Sequence, residues 1–192
     1  MAKTLALLGA TDKRAISYPL IKVLMHLGRT LIVTDDGLYR RFDEDYNTNF
    51  DFENSEFLII PKLEDEHKEL INQKSKSFEY VLYITTNEIP DNASKIVYCR
   101  GIDKGLASIS TLRQIEDSEF IEVLVTFDKV ADKKALKIVP SIKQYKYFSQ
   151  CEDRKEFLDS ADSAFVTLLT TFFEEQLDLP KSTIKSILAR KG

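Results

Sequence analysis

The first forty residues restrict the fold more than anything that follows. Residues 4–8 (Thr-Leu-Ala-Leu-Leu) form a continuous apolar run, the pattern of a strand covered on both faces in a parallel sheet. Residues 9–17 are polar and irregular. Leu20, Ile21, Val23, Leu24 and Leu27 then recur at helical spacing, and Gly28 stands where a helix C-cap belongs. Residues 30–33 make a second short apolar strand, closed by Thr34-Asp35-Asp36-Gly37. Strand, helix and strand in this order form a βαβ unit, which requires parallel pairing and a right-handed crossover.

The pattern continues more loosely. Residues 43–55 are polar, acidic and Asn-rich and read as a surface loop. Residues 56–60 read as a strand ended by Pro61, and 64–76 as a charged amphipathic helix. Further strands are expected at 80–84, 95–99, 121–126 and 136–139, with a helix at 108–115. In the last third, Phe157, Leu158, Ala161, Ala164, Phe165, Leu168, Leu169, Phe172 and Leu177 trace one broad apolar stripe. They predict a long helix at about 155–178 that packs across a sheet. Pro180 ends it, and Ser182 is expected to cap a final helix at 183–190. No repeat or linker interrupts the chain, so residues 1–192 are expected to form one domain.

With 192 residues, 43% hydrophobic and 30% charged, the composition is that of a soluble globular protein with one substantial core. No run of 18 apolar residues exists, and residues 1–4 lack the pattern of a secretory signal. A cytoplasmic location and no membrane span are therefore expected. A net charge of −4 argues against nucleic-acid binding. Cys99 and Cys151 lie far apart without metal-ligand spacing and read as reduced, inert thiols.

The opening strand and the residues after it resemble the MinD/ParA family of P-loop ATPases. There the first strand runs into a glycine-rich loop, K-G-G-x-G-K-[ST], whose backbone and lysines hold phosphates. The corresponding stretch is Gly9-Ala10-Thr11-Asp12-Lys13-Arg14-Ala15-Ile16-Ser17. If Ser17 matches the magnesium-binding hydroxyl, Ile16 stands at the phosphate lysine and Thr11 at the family's additional lysine. Asp12, Lys13 and Ala15 stand at the glycines. Side chains at those positions crowd a phosphate chain, and Ile16 carries no charge for its oxygens. Residues 31–36 (Leu-Ile-Val-Thr-Asp-Asp) resemble the strand ending in the family's Asp-x-Asp signature. Residues 78–85 resemble its D-Y-V-I-I-D-T strand, with Ile84 at the Walker B aspartate. Residues 136–140 and the charged stretch beyond resemble its closing I-P segment.

The resemblance implies an α/β three-layer sandwich, with a mostly parallel central sheet flanked by helices, of the P-loop NTPase type. It implies a vestigial pocket at Gly9, Thr11, Lys13, Ser17, Asp35 and Asp36, with no cofactor, metal or catalysis expected. The function it points to is a pseudo-ATPase scaffold or adaptor. Such a protein binds protein partners, or dimerises permanently through the same face, within a bacterial division, partition, pilus or secretion apparatus. The alternative is a nucleotide-binding ATPase, GTPase or sensor that uses Ser17, Lys13, Asp35 and Asp36 in a rebuilt phosphate site.

Individual residues carry plainer readings beside these. Asp35 and Asp36 are either leftover metal- or water-positioning carboxylates at a strand end, or a turn that caps the next segment. Lys13, Arg14, Arg40 and Arg41 either converge on an acidic partner or are solvated surface charges. His26, beside core positions, and His67, on a charged helix, have no serine or cysteine at nucleophile spacing. The acidic stretch 43–56 lacks the ligand alternation of a calcium loop. The lysines of 129–137 lack interleaved aromatics for nucleic acid. Tyr145, Tyr147 and Phe148 are core aromatics or a partner patch.

Overall fold

The computed structural model describes residues 2–42, 54–60, 64–101, 120–126, 148–149 and 163–189. Of the loop expected at 43–55, residues 43–53 lie outside them, and Ser55 is already in a strand. The helix expected at 108–115, the strand at 136–139, Pro61, residues 129–137, Tyr145, Tyr147, Cys151 and the beginning of the long helix also lie outside them.

The strands are β1 (Lys3–Leu8), β2 (Thr30–Thr34), β3 (Ser55–Ile59), β4 (Tyr80–Thr85), β5 (Lys95–Gly101), β6 (Phe120–Thr126) and β7 (Phe148–Ser149). They form one sheet in the order β3-β2-β4-β1-β5-β6-β7. Every described pairing is parallel, with Leu5 opposite Leu82 on one side of β1 and opposite Lys95 on the other. Among the described residues the helices are α1 (Arg14–Leu27), α2 (Asp65–Ser75), α3 (Ser163–Leu177) and α4 (Lys181–Leu188).

Because β1, β2, β4 and β5 are apolar on both faces, the sheet supports two cores. Leu5, Leu7, Ile32, Leu82, Ile84, Val97 and Cys99 point to one side and pack with α1, α3 and α4. Ala6, Leu8, Leu31, Val33, Val81, Tyr83, Ile96 and Tyr98 point to the other, where Ile71 of α2 meets them. The period of two along each strand makes that division. Helix, sheet and helix thus form three layers, an α/β sandwich.

The chain leaves β1 towards β2 and β3, then returns past β2 to β4 and past β1 to β5. Crossovers of one hand running in opposite directions must lie on opposite faces. α1 accordingly lies on the first face. α2, and then Ile89 and Ala93 of the β4–β5 connection, pack on the second. The reversal places the carboxyl end of β1 at the switch point of the sheet, the position at which open α/β sheets leave a crevice.

The helices differ from the sequence expectation mainly at their ends. α1 starts at Arg14, inside the stretch expected to be irregular, because Asp12 accepts the Arg14 backbone N–H at 2.9 Å and fixes the first turn. α2 carries a capping box, with the Glu64 N–H donating to His67 Nδ1 at 3.2 Å. α3 buries Leu169, Phe172, Phe173 and Leu177. It ends at Asp178, which has φ of 53°. α4 begins directly after Pro180, so Ser182 lies within the helix and does not cap it. The fixed φ of proline suits that entry.

Candidate functional site

The turn between β1 and α1 is five residues long, Gly9 to Lys13. Its first residue has φ of 120°, and its N–H donates to the carbonyls of Thr85 and Thr86 at 3.1 and 3.2 Å. A Cβ at Gly9 would lie 2.1 Å from the Cys99 carbonyl oxygen. Glycine is therefore demanded by the approach of β5 as well as by the backbone angle.

Lys13 follows the turn back inward. Its side chain is only 1% exposed, which corrects the reading of this residue as a solvated surface charge. Nζ donates to the Gly9 carbonyl at 2.6 Å and to the Thr11 carbonyl at 3.2 Å, and lies 3.9 Å from Asp36 Oδ2. Two carbonyls and a nearby carboxylate supply what a buried ammonium needs. The neighbouring Arg14 guanidinium pairs with Asp12, with Nε 2.8 Å from Oδ2. That hydrogen bond raises the guanidinium's pKa still further above its usual value.

Ile16 is fully buried in the core formed by α1, α3 and α4. Ser17 is also fully buried, and its hydroxyl lies 2.5 Å from that of Tyr39. Tyr39 belongs to the 3-10 turn Gly37–Phe42 and meets the Tyr18 ring edge-on at 5.9 Å. Burial pushes the Tyr39 phenol well above its ordinary pKa, against the opposing hydrogen bond from Ser17. The Cys99 thiol, likewise enclosed, is pushed up to about 12 by burial, although the charge of Lys13 pulls the other way. It is a protonated, unreactive thiol at neutral pH.

The two aspartates after β2 have different partners. Asp35 accepts the Thr86 N–H through both carboxylate oxygens, at 2.9 and 3.0 Å, and joins the ends of β2 and β4. Asp36 accepts the Leu38 N–H at 2.9 Å and caps the 3-10 turn that delivers Tyr39. The capping reading of the sequence describes Asp36. Asp35 instead ties two strands together.

The structure thus brings Gly9, Thr11, Lys13 and Asp36 around one ammonium, with Ser17 beneath them on Tyr39 and Asp35 held apart on Thr86. Arg40 and Arg41 follow in the 3-10 turn. Tyr39, Thr86 and the Cys99 carbonyl were not singled out by the sequence. Only Tyr39 carried a local signal, as the aromatic residue three positions after a capping aspartate. His26 is exposed near the far end of α1, where its Nδ1 lies 2.8 Å from the Lys22 carbonyl oxygen. An open recess of about 370 Å3 beside it is lined by Ser182, Thr183, Ser186 and Ile187. Neither histidine meets a serine or cysteine in a nucleophilic pair among the hydrogen bonds described. Among the described residues, no group of three His, Cys, Asp or Glu side chains is placed to hold a metal, and no helix is long and apolar enough to cross a membrane.

Fold and site together define a parallel α/β protein whose switch-point turn is closed by its own lysine. Neither protein-family models nor curated proteins yield a match to the chain.

Proposed function

We propose that the chain is a non-catalytic protein of the MinD/ParA type, a scaffold or adaptor that presents the carboxyl end of its sheet as a fixed binding surface for protein partners. The observation carrying this reading is the direction in which the β1–α1 turn faces its cation: carbonyl oxygens of Gly9 and Thr11 converge on buried Lys13. A phosphate-holding turn needs N–H donors and an outward cation at that place. Ile16, at the position resembling the phosphate lysine, is buried in the core. The order of elements supports the same kinship, since β4, which resembles the Walker B strand, pairs directly with β1. A protein of this kind acts in positioning or assembling a larger bacterial machine, alone or as a dimer built through that face.

Thermal melting of the full chain with Mg·ATP and Mg·GTP tests the proposal. A nucleotide at 100 times its Kd adds about 2.7 kcal/mol to folded-state stability, a shift of several degrees for a chain of this size. No shift is expected. A shift that Asp35→Ala abolishes would replace the scaffold with a nucleotide-binding protein using a rebuilt site.

A further inference from the structure

We infer that the β1–α1 turn is a small cation cradle whose resident cation is the chain's own Lys13. Three oxygens surround the ammonium: the Gly9 carbonyl at 2.6 Å, the Thr11 carbonyl at 3.2 Å and Asp36 Oδ2 at 3.9 Å. At 1% exposure the lysine has exchanged its hydration for these groups. Leaving an ammonium buried without partners costs several kcal/mol, so the oxygens must be in place whenever the side chain is inside. Backbone carbonyls with a nearby carboxylate are also the ligand chemistry of a hard monovalent cation. The lysine stem therefore tethers a cation that a free primary ammonium can replace. The remaining contacts keep the cradle in shape without the lysine. Gly9 is held by the carbonyls of Thr85 and Thr86, and Asp36 is fixed by the Leu38 N–H and by its own N–H to Thr34 Oγ1 at 3.1 Å.

This deepens the proposed function, since a turn filled by its own cation holds one shape with no ligand to cycle. The geometry itself is independent of any partner.

Chemical rescue tests the cradle. The full-length wild type, Lys13→Met and Lys13→Ala are melted in NaCl, KCl and n-propylammonium chloride at equal ionic strength. Propylammonium supplies three carbons and an ammonium, matching the Cγ, Cδ, Cε and Nζ that alanine lacks. Lys13→Met keeps a stem but no donor, and is expected to melt about 5 °C below wild type in every salt. Lys13→Ala is expected to fall further in NaCl and to regain at least half of its loss in propylammonium, a gain that neither wild type nor Lys13→Met shows. The cradle is overturned if Lys13→Met melts with wild type, because stem packing is then sufficient. It is equally overturned if Lys13→Ala gains no more from propylammonium than wild type does. Should Lys13→Ala fail to fold in NaCl, a cooperative transition regained in propylammonium is the expected result, and its absence overturns the inference. The nucleotide titration uses wild type and Asp35→Ala but no Lys13 variant, so failure of the scaffold reading and failure of the cradle are separate results.

Discussion

Two lysines at opposite ends of β1 use the same chemistry for different ends. Lys13, after the carboxyl end, donates to carbonyls two and four residues away and is 1% exposed. Lys3, at the amino end, donates to the Leu177 carbonyl at 2.7 Å and the Asp178 carbonyl at 3.3 Å, 174 and 175 residues away. It thereby satisfies the last carbonyls of α3 and pins the α3–α4 turn to the sheet. Partial burial lowers its pKa, and the Asp178 carboxylate opposes that shift. Arg29 works at the same end. Its N–H donates to Glu79 Oε2 at 2.6 Å, and its guanidinium lies 5.0 Å from the Phe78 ring centroid. Water can replace the lysine at the amino end and has little access at the carboxyl end. Exposure, more than the number of hydrogen bonds, should therefore decide what each contact is worth.

The largest effect is expected at the closed end. Gly9→Ala forces a Cβ to within 2.1 Å of the Cys99 carbonyl at a φ of 120°. The variant should lose about 4 kcal/mol or more, or fail to fold. A urea midpoint within 1 M of wild type would mean that β5 does not crowd the turn as described.

The same enclosure predicts an alkaline signature. The Cys99 thiol ionises near 9 when unfolded and at about 12 when folded. Between those values the folded chain holds the extra proton, so this contribution is complete below pH 9 and is lost as pH rises towards 12. The stability advantage of wild type over Cys99→Ala should shrink by about 2.5 kcal/mol between pH 8 and pH 11. Urea denaturation at the two pH values measures it, with the titration of Tyr39 and Tyr83 common to both proteins. An advantage that stays constant would mean that the thiol is open to water.

Beneath the turn, Tyr39→Phe leaves the buried Ser17 hydroxyl without its phenol partner and should cost about 1–2 kcal/mol. A double-mutant cycle with Ser17→Ala sharpens this, because the double variant should lose less than the two single losses combined. Strict additivity would show that the two hydroxyls do not meet.

The central strands were legible because both of their faces are apolar, but that same property hid which residue faces which layer. Leu5 and Ala6 look equivalent in a continuous run, yet they belong to different cores. Spacing along the chain also could not reveal that β4 inserts between β2 and β1, since strand order depends on long-range pairing. The charged face of α2 and the apolar stripe of α3 gave their type correctly, while caps set the boundaries. Asp12 holds Arg14 in a first turn that looked irregular, and Pro180 displaced Ser182 from the cap. At the site, Gly9, Thr11, Lys13 and Asp36 meet while Ser17 and Asp35 have other partners, and none of these contacts was legible. A lysine in a polar stretch reads as solvated until the carbonyls that receive it are known. Ser17 and Tyr39 are 22 residues apart, and no local pattern joins them.

The smallest expected effect lies at the open end and bears most directly on the contrast between the two lysines. Lys3→Met removes both donors to the end of α3, but water can reach those carbonyls, so the loss should stay below about 1 kcal/mol. That corresponds to a melting shift of about 2–4 °C or less. The Lys95–Asp178 pair beside it, at 3.3 Å and with side-chain exposures of 36% and 62%, should contribute almost nothing. Asp178→Asn should leave the melting point within 1 °C of wild type, since asparagine tolerates the φ of 53° and only the screened charge is lost. Were Lys3→Met to cost as much as Lys13→Met, burial would not be what separates the two ends of β1. The long-range tie between α3 and the sheet would then hold the fold as firmly as the closed turn.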